Sequence, residues 1–201
     1  MKDLLTKRHL ETAGLGAFFR PRDVAPIGVS FRQLQKLVEG GVVERIGSGL
    51  YRLSEVEPTE METIAMVASA VPRAVVCLLT ALRVHEIGTQ SPPEVWIAID
   101  RKSRKPAKLP TRVRIMSFSG AMLTYGVIRV PMLGAMVSIT SPARTVVDCF
   151  RYRNKVGLDV AMEALHDAFQ THKATIDEIW HTAEVCRIST VIRPYLEALA
   201  V

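Results

Sequence analysis

Ser30, Arg32, Gln33, Gln35 and Lys36 lie within one short stretch of the chain. Arginine pairs bidentately with guanine and glutamine with adenine across a major groove, so this set contains the side chains that read base edges. Lys36 adds a cation and Ser30 a hydroxyl. Arg45, Ser48 and Arg52 come next, of types that reach phosphate or the minor groove. A second concentration of charge, Arg101, Lys102, Arg104, Lys105 and Lys108, carries no such variety. It suits either a solvated surface loop or a sequence-blind phosphate anchor for DNA or RNA.

Other chemistries lack their residues. A nucleotidyltransferase needs a Gly-Ser pair followed by spaced aspartates that hold two metals, and no D-x-D occurs. Gly47-Ser48 is instead accounted for as a turn. Asp100 before Arg101 and Lys102 resembles a nuclease acid–lysine cluster, but no suitably spaced E-x-K supports metal-assisted hydrolysis. His85-Glu86, His166-Asp167 and His181-x-x-Glu184 have no second histidine at metal-binding spacing, and read as structural or surface polar pairs. No G-x-S-x-G and no phosphate-cradling glycine loop is present. No catalysis, cofactor or metal is expected. Arg144 and Asp148, four apart, read as a structural ion pair on a helix.

The elements that must hold the reading set come in a definite order. Lys2–Thr12 has no Pro or Gly and predicts a first helix, stopped at Gly14. Phe18 and Phe19 supply bulky apolar material. Pro21 suits the first turn of a second short helix over 21–25, which Pro26 must end or distort. Ser30 is an N-cap for a third helix over Phe31–Glu39, with Phe31, Leu34, Leu37 and Val38 as its apolar face. Gly40 and Gly41 stop it. Two β-rich runs, Val42–Ile46 and Leu50–Leu53, are joined by Gly47-Ser48-Gly49. Helix, helix, turn, helix and two-stranded hairpin is the order of a winged helix-turn-helix, in which the second motif helix enters the major groove. A small helix–hairpin module whose polar face meets only water is the plainer alternative.

Beyond a charged linker at Ser54–Thr59, helices are expected over Glu60–Val71 and Val75–His85, and strands over 95–99, 113–118, 126–130 and 135–140. Ser141-Pro142 opens a helix to about Tyr152. Leu158, Ala161, Met162, Leu165 and Phe169 mark one face of the next, and Thr175 with Glu178 fits a capping box for another. The last helix covers 190–199, with Pro194 near its start. The fold class is α+β: a DNA-binding domain at 1–54, then a mixed domain at 60–201 with a small sheet and C-terminal helices.

Composition sets the outer bounds. The chain has 201 residues, 48% hydrophobic and 23% charged, which is enough apolar material for a real core. The three cysteines, Cys77, Cys149 and Cys186, are far apart and read as buried thiols. No apolar run is long enough to span a bilayer, and Met1–Leu10 is polar with no signal segment behind it, so a cytoplasmic protein without membrane contact is expected. The net charge of +6 is unevenly spread. Residues 1–54 carry nine Lys/Arg against five Asp/Glu, and 101–114 carry seven against none. Between them, 55–100 carries two against seven. The basic segments favour a polyanionic partner.

Several stretches follow one another along the chain: VSFRQLQKLVEGGVVERIGSGLYRL, Val29 to Leu53, with its G-x-Y-R-L ending, then LTALRVHEIG from Leu79, PEVWIAI from Pro93, ITSPARTVVD from Ile139 and RPYLEAL from Arg193. In this order they resemble the AbiEi antitoxin family, transcriptional regulators of type IV toxin–antitoxin and abortive-infection loci. The resemblance implies a winged helix that represses its own operon at a double-stranded DNA operator, usually an inverted repeat. It also implies a C-terminal domain that counteracts a nucleotidyltransferase-like toxin without an obligate complex. An RNA-binding or protein-interaction module, with the winged helix as a docking surface, is the alternative function.

Overall fold

Apolar runs punctuated by glycine and proline set most of the element boundaries along this chain. The computed structural model describes residues 10, 12–47, 49–54, 60–106, 109 and 111–199. The helix expected over Lys2–Thr12 lies outside the described residues, except that Leu10 and Thr12 are helical. Most of the expected linker, 55–59, also lies outside them. The chain forms two compact units. One comprises Met1–Pro72, Pro106–Thr111 and Val130–Val137, and the other Arg73–Lys105, Arg112–Arg129 and Ser138–Val201.

The first unit opens with a two-residue strand, β1 (Phe18–Phe19), then helix α1 (Pro21–Val24). Pro26 does distort the end of this helix: residues 25–27 tighten into a 3-10 turn, and Gly28 leaves it with φ +80°. Helix α2 (Phe31–Glu39) has its expected bounds, and strands β2 (Val43–Gly47) and β3 (Leu50–Leu53) form the hairpin. Strand β1 is not among the expected elements. It adds antiparallel to β3, pairing Phe18 with Arg52, and gives a sheet of order β1-β3-β2. Two residues are too few for any periodicity, so only the tertiary partner makes this a strand. Phe19 stacks on Tyr51 at 6.0 Å, and the core around them holds Val24, Val29, Leu34, Leu37, Val43 and Leu53.

Helix α3 (Glu60–Ala70) is tied into this unit by two arginines. Arg20 donates from Nε to the Ser69 carbonyl at 3.0 Å and from a second nitrogen to that of Ala70, satisfying carbonyls at the helix C-terminus. Arg52 reaches Glu62 at 2.7 Å. The 130–137 segment contributes a close backbone contact. The Ala17 amide donates to the Leu133 carbonyl at 2.8 Å, and a Cβ on Gly16 would sit 2.7 Å from Gly134 backbone atoms. Only glycine permits that approach.

Strands β4 (Val75–Val76), β5 (Val95–Asp100), β6 (Val113–Phe118), β7 (Val127–Met132) and β8 (Ala135–Thr140) form a five-stranded sheet of order β6-β5-β4-β8-β7. Most of it belongs to the second unit, while Val130–Val137, the end of β7 and the start of β8, belongs to the first. The expected helix over Val75–His85 needs correction: Val75 and Val76 form the central strand, and helix α4 runs only over Leu78–His85. Val76 pairs with Ile97 on one side and Ile139 on the other. A strand buried on both sides is a continuous apolar run, which periodicity cannot separate from a helix.

Helices α5 (Pro142–Arg151), α6 (Arg153–Val156), α7 (Leu158–Gln170), α8 (Ile176–Val185) and α9 (Ser189–Leu199) complete the unit. The Ser141 and Thr175 caps form as expected, the latter with Glu178 in a reciprocal box. Helix α5 is buried from Ala143 to Phe150 and packs against α4, α7 and α8. On α7 the expected face is wrong in part. Leu158, Met162 and Phe169 are exposed, and Val160, Ala161, Ala164, Leu165 and Ala168 are buried. Alanines let neighbouring helix backbones close in, so the smaller residues take the interface. All three cysteines are buried and free, and burial pushes the Cys77 and Cys149 thiols up. Among the described residues no helix is long and apolar enough to cross a membrane.

Candidate nucleic-acid interface

Helix α2 is held by its ends and its back. Ser30 Oγ accepts from the Gln33 amide at 3.3 Å, while Gln33 Oε1 accepts from the Ser30 amide at 2.9 Å and its hydroxyl at 2.7 Å. Two orphan donors of the first turn are thereby satisfied. Leu34 and Leu37 fix the inner face in the core. The outer face presents Arg32 and Lys36, both exposed, with half-buried Gln35 between them in sequence. Spacings of three and four put these three on one side of the helix. Among the described residues, none of their side chains makes a hydrogen bond or ion pair, so all three are available to a ligand.

The other expected site residues divide. Ser30 and Gln33 are used locally: with Oε1 occupied, Gln33 lacks the acceptor that a bidentate contact to adenine requires. Arg45 is exposed on β2, with a long bond of 3.4 Å to the Gly47 carbonyl. Ser48 lies outside the described residues. Arg52 is clamped. It donates from Nη1 to Glu62 at 2.7 Å and from Nη2 to Glu44 at 2.5 Å, and these carboxylates, Glu44 first, strengthen its hold on its proton. Its charge is matched within the fold, unlike those of Arg32 and Lys36.

Phe31 departs most from its expected place. Expected in the core, it is 62% exposed at the first position of α2. Val29 and Leu34 instead form the apolar staple across the helix start, both buried in the same cluster. The signal for this lies in the spacing of Val29 and Leu34 about the Ser30 cap.

In the basic loop, Arg101, Lys102, Arg104 and Lys105 are all exposed, and no helix or strand forms there among the described residues. Lys108 lies outside them. Asp100 is occupied locally. Its Oδ1 accepts from the Lys102 amide at 2.7 Å, and its carbonyl from the Ser103 amide at 2.8 Å. The turn is thus built by the acid that resembles a nuclease ligand in the sequence.

His85, His166 and His181 are likewise engaged. His85 Nε2 donates to the Thr140 carbonyl at 2.6 Å, and burial lowers its pKa. His166 meets Gln170 at 3.1 Å, and His181 faces Glu184 at 3.9 Å. Among the described residues no three of His, Cys, Asp and Glu are grouped to hold a metal ion.

Buried charge in the second unit is structural. Arg144 is fully buried and donates to Asp148 at 2.9 Å and to the carbonyls of Tyr125 and Met122 at 2.6 and 3.0 Å. Burial pushes the Asp148 carboxyl up to about 6, against the opposing pull of Arg144. Its Oδ2 has no hydrogen-bond partner among the described residues.

No curated protein sequence matches the chain. The helix and hairpin that carry Arg32, Gln35, Lys36 and Arg45 lie within residues 10–54, and those residues match the family model of the transcriptional regulator AbiEi antitoxin.

Proposed function

We propose that this chain is a DNA-binding transcriptional regulator of the AbiEi antitoxin type. Residues 1–54 act as a winged helix-turn-helix, with α2 as the recognition helix and β2–β3 as the wing. Residues 60–201 act as the antitoxin domain. The observation that supports this most is the unpartnered face of Arg32, Gln35 and Lys36 on a capped helix, in the segment that matches a regulator family. Arg32 and Gln35 are the base-reading pair, Lys36 and Arg45 are phosphate contacts, and the chain represses its own operon at an inverted repeat. Arg101, Lys102, Arg104 and Lys105 add sequence-independent phosphate contacts. The toxin that it counteracts is nucleotidyltransferase-like and forms no obligate complex with it.

Anisotropy titrations of the full chain with duplex from upstream of its own gene test the reading. Specific binding falls steeply with salt, and the double variant Arg32→Ala, Lys36→Ala abolishes it while the protein stays folded. Unchanged specific affinity in that variant refutes the assigned helix. RNA that co-purifies, with no shift of upstream duplex, supports the RNA-binding alternative instead.

A further inference from the structure

Among the described residues, nothing packs Phe31 into the core: it is 62% exposed. Phe18, Phe19, Phe118 and Phe150 are all buried. The start of α2 is already complete without Phe31, because Ser30 and Gln33 cap it and Val29 and Leu34 staple it. Among the described residues its ring makes no aromatic or cation contact. A single exposed apolar side chain needs no special account by itself. The position of this one is different. It stands beside Arg32 and one turn before Gln35, and the first turn of α2 holds no acidic residue to repel a phosphate backbone. The N-terminal residues of a recognition helix are those that meet base edges, and the thymine C5-methyl is the apolar group a major groove offers them.

We propose that Phe31 is a specificity-determining residue that packs against a thymine C5-methyl in the bound duplex. The inference rests on α2 being the recognition helix. It adds a thymine preference beside the base read by Arg32. The ring covers one methyl, so its contribution is about fourfold in affinity per half-site, the worth of one buried CH2 group.

The experiment uses the full chain and duplexes that it selects from a randomised pool. Each thymine in a selected site is replaced in turn by deoxyuridine, which removes only the methyl. Wild-type protein is expected to lose about fourfold at one thymine per half-site. Phe31→Ala is expected to bind the thymine duplex more weakly and to treat thymine and deoxyuridine there alike. Phe31→Leu retains part of the preference. Thermal melting of both variants monitors folding, and an exposed side chain predicts little change in Tm. The proposal is overturned if no thymine matters to the wild type, or if Phe31→Ala keeps the full thymine preference. In either case a continuing loss of binding in Arg32→Ala leaves the recognition helix standing. Selection of no duplex at all overturns both.

Discussion

Arg52 Nη1 and Glu62 Oε1 lie 2.7 Å apart, and this bond joins the β hairpin to the helix after it. Glu62 is nearly buried, and Arg52 also holds Glu44. An arginine expected to touch phosphate is therefore committed to two carboxylates of its own chain. Arg52→Ala is expected to cost about 1–2 kcal/mol, mainly through loss of its charged hydrogen bonds to Glu62 and Glu44. Urea denaturation measures that loss. Specific DNA affinity of the folded variant should fall less than for Arg32→Ala, and the reverse order would make Arg52 a phosphate contact after all.

Ser30 and Gln33 act as one unit through their reciprocal bonds. Ser30→Ala and Gln33→Ala are each expected to destabilise the protein by about 1 kcal/mol. The double variant should cost less than the two together, since either change breaks the same box. Additive losses in a double-mutant cycle would show that the two residues act separately.

The Arg144–Asp148 pair carries a pH prediction. The Asp148 carboxyl titrates near 6 in the fold and near 3.8 in the unfolded chain. With the folded value raised, its stabilising contribution is complete below about 3.8 and is lost as pH rises through about 6. Arg144→Met removes the buried cation and pushes Asp148 higher still. That variant should lose about 3–5 kcal/mol at neutral pH. Part of the loss should return at pH 5, where protonation relieves the lone carboxylate; denaturant melts at the two pH values measure it. An equal deficit at both would mean that Asp148 does not titrate in this range.

Two glycines separate steric crowding from backbone strain. Gly16→Ala drives a Cβ to 2.7 Å from Gly134 backbone, which cannot rotate aside as a side chain would. A cost of about 1–3 kcal/mol is expected. At Gly28, φ is +80° but nothing lies within 4 Å of the added Cβ. There the cost of Gly28→Ala is conformational only, about 1–2 kcal/mol. Adding Gly134→Ala should deepen the first defect and leave the second unchanged, as thermal melts can show.

Legibility tracks the range of the interaction. The caps at Ser30, Ser141 and Thr175 are readable because each bonds an amide three residues away. Strands β1 and β4 are not, because their identity lies in partners such as Arg52 and Ile139, distant in sequence. The α7 face is half legible: the 3.6 period marks the helix, but the neighbours decide which side is buried.

By itself the sequence determined the local grammar: which residues cap α2, that Pro26 breaks the helix before it, and that Arg32, Gln35 and Lys36 share a face. These arise from backbone sterics and hydrogen bonds within a few residues. Tertiary structure alone decided which charges remain available. It gave Arg52 to Glu44 and Glu62, buried the Arg144–Asp148 pair completely, and left Phe31 facing outward. The physical reason is competition: each polar or apolar group goes to its best partner in space, and where that partner is distant in sequence the neighbours along the chain do not encode it.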